Sequence, residues 1–293
     1  MILLDGKLAS TSVKAVLKKE VEIITANNKR APHLVAILIG NNGASETYVA
    51  SKIRSCKEVG FTSTLIRFDD NVEENILLQK IIELNNNDEI DGILVQLPLP
   101  KHINETTVIQ TIHPDKDVDG FHPINAGKLV QGLPTLIPAT PYGVMLLFDY
   151  FNIDTKGKHA VIIGRSNIVG RPLSILLSSN LLHGNSTVTL CHSSTKNLKE
   201  LCLQADIVVA AIGKPEFVTA DMIKPNAVVI DVGITRVDDA TKKSGYRLKG
   251  DVKFDEVAAK ASAITPVPGG VGLMTIAGLL KNTLQVYKMK MIN

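Results

Sequence analysis

Several residue types that mark functional classes are scarce in this sequence. Its 293 residues include no tryptophan, aromatic residues make up 4%, and the formal net charge is only +3. Binding of single-stranded nucleic acid relies on aromatic stacking, and binding of duplexes relies on a clustered basic surface. We therefore expect no nucleic-acid partner for this chain.

Cysteine and long apolar runs are equally limited. Cys56, Cys191 and Cys202 are too few and too widely spaced for a disulfide framework or a zinc site, which favours a reducing compartment. The opening apolar run ends at Asp5, unlike that of a signal peptide. No later run approaches the roughly 18 to 20 apolar residues of a membrane span. We predict a cytoplasmic protein with no bound metal and no membrane association.

Short β-branched runs alternate with segments of helical period along most of the chain, which is typical of α/β proteins with parallel sheets. At roughly 100 to 200 residues per domain, the length predicts two domains. A segment rich in proline, residues 133–141, is the predicted linker. The predicted strands are residues 34–39, 63–68, 92–96, 159–163, 187–191, 207–211 and 228–232.

The predicted helices fill the intervals between these strands. They cover residues 45–59 and 72–85, follow the first two strands of the second half, and end the chain at 275–287. Ser45 is the expected N-cap of the first helix, and Pro141 and Pro172 are expected to open later ones. The polar residues 235–250 predict an exposed hairpin around residues 242–245.

A turn containing glycine follows the predicted strand at residues 159–163. Gly164, Arg165 and Gly170 lie in this turn, and Pro172 opens the next helix. The free N–H groups and positive dipole end of that helix can hold a phosphate. The G-x-G-x-x-G pattern is not met, so a plain strand-to-helix turn is an equally good interpretation of this segment alone.

The end of the next strand indicates which dinucleotide would fit. NAD sites usually present an acidic residue to the ribose 2′-OH at this point. Here Cys191 is followed by His192 and then by three hydroxyl residues that begin at Ser193. These groups, with Arg165 on the neighbouring turn, suit a 2′-phosphate. We therefore predict NADP as the cofactor in preference to NAD.

Two polar groups in the first half are candidates for chemistry. Tyr48 and Lys52 are four residues apart in a predicted helix and share one face. A desolvated lysine can act as a tunable base, although an amphipathic packing pair is the commoner interpretation. Gln96 ends an apolar strand at the sheet edge where α/β folds bind ligands. It could equally hydrogen-bond the adjacent turn.

Three acidic residues, Asp115, Asp117 and Asp119, alternate before Gly120. The pattern resembles the start of a calcium loop, but Ala126 occupies the position of the required glutamate. Two interpretations stay open. The segment is either a turn with solvated carboxylates or a loop in which one carboxylate binds a donor-rich heterocycle.

A second glycine-rich segment precedes the last predicted helix. Glycine lets the backbone approach a ligand closely, although the segment could also simply lead into the helix. Its residues are Pro268, Gly269, Gly270, Val271 and Gly272.

Taken together and in this order, six motifs closely resemble the methylenetetrahydrofolate dehydrogenase/cyclohydrolase family. They are Tyr48-x-x-x-Lys52, Val95 to Pro100, Asp115 to Phe121, Gly164 to Pro172, Asp231 to Ile234 and Thr265 to Gly272. The resemblance implies two α/β domains flanking a cleft, the second a Rossmann-like dinucleotide-binding domain. It also implies a homodimer and a bifunctional enzyme. Such an enzyme oxidises 5,10-methylenetetrahydrofolate with NADP and hydrolyses the 5,10-methenyl product to 10-formyltetrahydrofolate.

The resemblance also implies residue roles. Lys52 becomes the key catalytic residue, Gln96 holds and tunes it, Tyr48 stacks on the folate, and Asp119 accepts N–H bonds from the pterin ring. The other substrate-binding residues it implies are Val95, Leu97, Pro268, Gly269, Gly270, Val271 and Gly272. The implied cofactor-binding residues are Gly164, Arg165, Ser166, Ser193 and Ile234. The sequence departs from the family pattern at Gly43, Ala139 and Leu273.

The motifs predict a discontinuous division of the chain. Residues 1–138 plus 275–293 form the predicted folate-binding catalytic domain, and residues 139–274 form the NADP-binding domain. The last helix is expected to pack on the first domain, and the active site is expected in the cleft between the two.

Two other functions are weighed against this one. A short-chain dehydrogenase would also use a Tyr-x-x-x-Lys pair, but its nucleotide turn precedes that pair, whereas Gly164 follows Lys52. A non-catalytic nucleotide sensor would have no use for Lys52 and Gln96.

Overall fold

The computed structural model describes residues 1–242 and 245–292. The strands are β1 (Ile2–Leu3), β2 (His33–Ile39), β3 (Thr62–Phe68), β4 (Gly92–Val95), β5 (His159–Ile163), β6 (Thr187–Cys191), β7 (Ile207–Ala210), β8 (Val228–Asp231), β9 (Thr235–Asp238), β10 (Tyr246–Lys249) and β11 (Ala263–Ile264). The helices are α1 (Gly6–Ala26), α2 (Gly43–Val59), α3 (Glu74–Asn85), α4 (Glu105–Thr111), α5 (Pro123–Val130), α6 (Ala139–Tyr150), α7 (Gly170–Ser178), α8 (Leu198–Gln204), α9 (Phe254–Ala258) and α10 (Val271–Ile292).

The chain divides into two compact units. The six-stranded unit comprises Met1–Ser10 and Thr140–Thr275, and the three-stranded unit comprises Thr11–Ala139 and the residues from Ile276 onward. Two of the domain boundaries predicted from the sequence lie after residues 138 and 274. The corresponding boundaries in the structure lie one residue later, after 139 and 275. No helix in the described part of the chain is long and apolar enough to cross a membrane.

The three-stranded unit is built on a parallel sheet in the order β3-β2-β4. Its central strand β2 is apolar on both faces, as a parallel strand covered on each side by helices must be. Leu34, Ala36 and Leu38 face a core that includes residues of α1, α2 and α10. Val35 and Ile37 face a second core shared with α3 and α4. This arrangement places the carboxyl ends of β2 and β4 at one edge of the sheet.

The six-stranded unit contains an all-parallel sheet in the order β1-β11-β8-β7-β5-β6. Counted from β5, the order of its main strands is that of a doubly wound sheet with a topological switch point between β5 and β7. Such sheets bind ligands at this point, outside the carboxyl ends of the strands. The α/β class and the Rossmann-like type predicted for this part are confirmed.

Residues 1–10 belong to a different unit from the one predicted for them. The sequence assigned them to the first domain, but β1 pairs with β11 in the six-stranded sheet. Backbone hydrogen bonds from the Ile2 N–H to Ser262 O at 2.6 Å and from the Leu4 N–H to Ile264 O at 2.8 Å hold it there. A two-residue strand carries no periodicity, and α1 after it was also not predicted.

Two helix starts differ from the prediction. Asn42, not Ser45, caps α2, because its side-chain oxygen accepts from the N–H groups of Ala44 and Ser45. Ser45 is buried within the first turn. The last helix, α10, begins at Val271 and not near residue 275, so two of the predicted loop residues, Val271 and Gly272, lie in its first turn.

The polar segment after β8 forms the predicted hairpin. Strands β9 and β10 pair antiparallel, with Thr235 opposite Lys249 and Asp238 opposite Tyr246. Part of the predicted tip, Lys243 and Ser244, lies outside the described residues.

Candidate active site

Helix α2 presents Tyr48 and Lys52 on one face. Asn42 caps its first turn, and Gly60 ends it in the left-handed conformation at φ 83°. Lys52 is buried with 6% of its surface exposed, and Tyr48 is half-buried. A buried lysine is rare in proteins unless it is paired, so its surroundings determine what it can do.

The partner of Lys52 is Gln96, which directly follows β4. The Lys52 ammonium donates to Gln96 Oε1 at 3.1 Å, and Gln96 Nε2 donates to Leu97 O at 2.7 Å. The Gln96 backbone N–H continues the ladder by donating to Ile37 O at 2.9 Å. The glutamine therefore holds the lysine and also bonds the adjacent turn, as the second of its two sequence interpretations predicted.

Burial shifts the protonation equilibria around this pair. It lowers the pKa of Lys52, while the nearby charges of Asp119 and Cys56 raise it to a smaller degree. Burial raises the pKa of the Cys56 thiol to about 12, which keeps this thiol neutral at physiological pH. Burial also raises the pKa of Asp119 to about 6, against the opposing charge of Lys52. Asp119 is thus within electrostatic reach of the lysine.

The three acidic residues after His113 have separate environments. Asp115 is exposed, whereas Asp117 is buried and accepts hydrogen bonds from the His122 N–H at 2.7 Å and from Asn125 Nδ2 at 3.0 Å. In the described part of the chain no group of three His, Cys, Asp or Glu side chains is arranged to hold a metal ion. The solvated-turn interpretation therefore fits Asp115 alone.

The remaining substrate residues predicted in this unit flank Gln96. Val95 is the buried last residue of β4, and Leu97 is half-buried beyond it. Val95, Gln96 and Leu97 lie at the carboxyl end of β4, the sheet edge that the sequence predicted for Gln96, and Lys52 of α2 reaches this edge through its bond to Gln96.

The turn after β5 lies at the switch point of the six-stranded sheet. Gly164 has φ 119°, and a Cβ there would be 2.2 Å from Ala211 O at the end of β7. A Cβ on Gly170 would be 1.9 Å from Gly164 O. Only glycine fits either position, because the turn and the neighbouring strand come too close for any side chain.

The side chains of this turn face solvent. Arg165 and Ser166 are both exposed. The Ser166 hydroxyl accepts from the N–H groups of Val169 at 3.2 Å and Gly170 at 3.4 Å, which orders the start of α7. Arg165 is therefore an exposed cation beside a helix N-terminus, an arrangement that favours an anionic ligand.

Two other predicted cofactor residues follow parallel strands of the same sheet. Ile163 of β5 is opposite Cys191 of β6, so the exposed Ser193 follows β6 at the edge where Arg165 follows β5. Ile234 follows β8 at this edge and is 40% exposed. The sheet brings the ends of these strands to one side, and β7 separates β8 from β5.

The glycine-rich segment before α10 is also in the six-stranded unit. Gly269 has φ 105°, and a Cβ on Gly270 would be 2.5 Å from Pro266 O. Gly6 at the start of α1 packs against the same backbone, since a Cβ there would be 2.0 Å from Gly270 O. Close packing requires glycine at positions 6 and 270, the positive φ favours it at position 269, and Pro268 just before Gly269 is exposed.

Two buried carboxylates shape the same sheet edge: Asp231, which opens one of the six motifs but had no predicted role, and Asp251, which was not predicted at all. The Asp231 carboxylate accepts from the Gly233 N–H at 3.0 Å, and the Asp251 carboxylate accepts from the N–H groups of Ile212 at 2.7 Å and Gly213 at 3.0 Å. They hold the segments that follow β8 and β7. The sequence signal for both was an acidic residue within two positions of a glycine, which alone is too common to be informative.

Family models match both parts of the chain. Residues 4–119 match the catalytic domain of tetrahydrofolate dehydrogenase/cyclohydrolase, and residues 138–291 match its NAD(P)-binding domain. The chain belongs to this family. The resemblance read from the six motifs is confirmed, and the short-chain dehydrogenase alternative is displaced.

Close relatives of this tetrahydrofolate dehydrogenase/cyclohydrolase span its full length. A bifunctional protein FolD from Cytophaga hutchinsonii is 60% identical and covers 99% of this chain and 100% of its own. A bifunctional protein FolD from Porphyromonas gingivalis is 56% identical and covers 98% of this chain and 97% of its own.

Solved structures of family members have the same fold. The bifunctional FolD enzyme from Campylobacter jejuni superposes with a TM-score of 0.92 at 46% identity, with 99% of each chain covered. The FolD enzyme from Trypanosoma brucei, solved with NADP cofactor and an inhibitor, gives 0.94 at 37% identity and covers 99% of this chain and 98% of its own.

The chemistry of the β5–β6 edge fits the dinucleotide that a family member requires. No acidic residue occurs between His192 and Asn197 after β6, where a 2′-hydroxyl would need an acceptor. Instead Ser193, Lys196 and Arg165 are exposed there. Hydroxyl and cationic donors suit a phosphate at this position.

Proposed function

We propose that this chain oxidises 5,10-methylenetetrahydrofolate with NADP and hydrolyses the resulting 5,10-methenyltetrahydrofolate to 10-formyltetrahydrofolate. The observation that carries the proposal is the buried Lys52–Gln96 pair, present in a member of the dehydrogenase/cyclohydrolase family. A non-catalytic nucleotide sensor would have no need of a desolvated lysine beside a glutamine and an aspartate.

The lowered pKa of Lys52 suits both reactions. Oxidation removes a hydride from the methylene carbon and leaves positive charge on the folate, and the lowered pKa of Lys52 reduces the repulsion between its side chain and that charge. Hydrolysis adds water to the methenyl carbon and releases a proton, and lowering the pKa of Lys52 makes its unprotonated amine more available to accept that proton. Gln96 holds that amine in place because its own orientation is fixed by the bond to Leu97 O.

The other substrate residues bind rather than react. Tyr48 lies one helical turn from Lys52 and offers a ring face to the folate. Asp119 accepts N–H bonds from the pterin ring through a carboxylate that makes no hydrogen bond among the described residues. Further contacts to the substrate are assigned to Val95, Leu97, Pro268, Gly269, Gly270, Val271 and Gly272.

The cofactor residues act through position and charge. Bound NADP supplies the acceptor for the hydride. Gly164 keeps the turn compact, Arg165 and Ser193 bind the 2′-phosphate, and Ser166 orders the start of α7 so that its N–H groups face the phosphates. Ile234 contacts the nicotinamide end. A cytoplasmic location and a homodimer complete the proposal, and the three buried free cysteines are consistent with a reducing compartment.

One spectrophotometric assay tests this function. Purified protein is mixed with 5,10-methylenetetrahydrofolate and either NADP or NAD, and the absorbances of NADPH and of the methenyl product are followed. We expect NADPH to form with little accumulation of the methenyl compound. Lys52→Met removes the amine, so both rates should fall by about 100-fold or more.

The matched control is Lys57→Met, an exposed lysine on the same helix. It should leave both rates within about two-fold of wild type, as a surface change distant from special features does. Wild-type protein that forms no NADPH with this folate would contradict the proposed function.

A further inference from the structure

We propose that Asn282, on α10, is a positioning residue that fixes the direction of the Asp119 side chain and thereby sets the affinity for the folate. The inference rests on the function proposed above, in which Asp119 accepts N–H bonds from the pterin ring. It concerns a residue that touches neither substrate nor cofactor in that proposal.

The Asn282 amide acts only as a hydrogen-bond donor. Its side chain is fully buried, and Nδ2 donates to Val118 O and to Ile137 O, each at 2.8 Å. Its Oδ1 is buried and has no hydrogen-bond partner among the described residues. Because both facing atoms are carbonyl oxygens, the nitrogen must point toward them. The two donor hydrogens of the amide are thus both used on backbone.

These two bonds control the peptide planes on either side of Asp119. The Val118 carbonyl belongs to the peptide that enters Asp119, so the bond from Asn282 sets the orientation of that plane. The peptide that leaves Asp119 is held separately, because the Ala139 N–H donates to Asp119 O at 3.1 Å. Asn282 also holds the segment that carries Ala139, through Ile137 O. With both planes fixed, the direction of the Asp119 Cα–Cβ bond is fixed.

The two segments are in close contact where Asn282 joins them. Gly120 has φ 74°, and a Cβ there would be 2.6 Å from Pro138 N. Asp117 anchors the other side of the loop through the His122 N–H and Asn125. Asn282 is the side chain that bonds the peptide directly before Asp119.

This arrangement has a functional consequence because the Asp119 carboxylate receives no hydrogen bond from the described residues. Its backbone therefore sets where the side chain starts, and the attraction of Lys52 acts on the carboxylate from there. A carboxylate already in the right place binds more tightly, since the ordering cost is met during folding. If the Val118–Asp119 peptide were free to tilt, the bonds to the ligand would lengthen and weaken.

The test compares two neighbouring buried residues of α10. Asn282→Leu keeps the number and branching of the side-chain heavy atoms and removes both donors. Thr283→Val is the matched control, because Thr283 is also fully buried but bonds its own helix at Leu279 O. Steady-state kinetics then give kcat and the KM values for 5,10-methylenetetrahydrofolate and for NADP.

We expect Asn282→Leu to raise the KM for the folate about 10-fold, which is the effect of one well-made hydrogen bond lost at the site. The KM for NADP should change by less than about two-fold in Asn282→Leu. In Thr283→Val both KM values should stay within about two-fold of wild type. An equal rise in both KM values would indicate a general loss of structure and overturn the proposal. If Asn282→Leu does not fold, Asn282→Ser, which keeps one donor, is measured instead. Its KM for the folate should rise about three-fold while its KM for NADP stays nearly unchanged.

A double-mutant cycle with Asp119→Ala identifies the route of the effect. If Asn282 acts through Asp119, its substitution in the Asp119→Ala background should raise the folate KM by less than about two-fold further. Multiplication of the two single effects would overturn the proposal. Failure of the wild-type protein to form NADPH contradicts the proposed function instead, so the two failures are distinguishable.

Discussion

At the scale of single residues, burial and local partners divide identical side chains between different tasks. Asp117 and Asp119 are two residues apart, yet Asp117 is satisfied by backbone and amide donors while the Asp119 carboxylate receives no hydrogen bond from the described residues. Lys52 is likewise distinguished from the exposed Lys57 of the same helix by burial and by Gln96. Residue type alone therefore does not decide function here.

The raised pKa of Asp119 predicts a pH dependence of folate binding. Because burial raises this pKa to about 6, the carboxylate becomes protonated as pH falls through that value and loses acceptor capacity. The KM for 5,10-methylenetetrahydrofolate should therefore rise below pH 6 by up to about ten-fold per pH unit. In Asp119→Asn the KM should be nearly constant between pH 5 and 7.5. A wild-type KM that is equally constant would contradict the assignment of Asp119.

Arg165 is expected to determine the choice between NADP and NAD. Arg165→Ala removes an exposed cation from the turn after β5, so the ratio of kcat/KM for NADP over NAD should fall about ten-fold. Arg171→Ala is the control, because this exposed arginine of α7 is bonded to Asn167 Oδ1 at 3.1 Å. A ratio unchanged by Arg165→Ala would show that the 2′-phosphate is bound elsewhere.

At the scale of elements, buried charge links the strands of the three-stranded unit to its last helix. Asp91, just before β4, is fully buried and receives a two-pronged bond from Arg30 at 2.6 and 2.8 Å. The N–H of His33, the first residue of β2, donates to the Asp91 carboxylate at 2.8 Å. The Lys290 ammonium of α10 lies 3.4 Å from the same carboxylate. The Asp91 carboxylate also raises the pKa of Arg30.

Loss of this link should destabilise the unit. Arg30→Met leaves a buried carboxylate with weaker partners, and we expect the free energy of unfolding to fall by about 2 to 3 kcal/mol in urea titrations. Arg67→Met removes an exposed arginine paired with Glu46 and should cost less than about 1 kcal/mol. Equal losses in the two variants would contradict a structural role for the Arg30–Asp91 pair.

At the scale of the whole molecule, the units are not consecutive halves of the chain. The first ten residues join the six-stranded unit through β1, and α10 begins there before most of its length packs in the core of the three-stranded unit. The six-stranded unit, formed mainly by the second half of the chain, therefore includes the N-terminal segment. The three-stranded unit, formed mainly by the first half, includes the C-terminal helix. The predicted homodimer and the cytoplasmic location stay predictions at this scale.

Much of the fold was predictable from local pattern. Buried parallel strands are short runs of β-branched and apolar residues, so β5 and β6 have the predicted bounds and β2, β3 and β4 differ by one residue. Helix termini were less predictable, because Asn42 and Ser45 are both good caps and only the backbone path selects Asn42. The strand β1 was missed because its pairing depends entirely on β11, far away in sequence.

The sequence by itself determined the α/β class, the glycine turn after β5, and the family, since these depend on short-range periodicity and on motifs whose spacing is covalent. Only the tertiary structure decided which carboxylate is satisfied and which is left free, and which side chain orients it. Asn282 showed no sequence signal beyond a polar residue in an apolar helix, because its partners at Val118 and Ile137 are distant along the chain. Long-range hydrogen bonds have no local pattern, and they are what place Asp119.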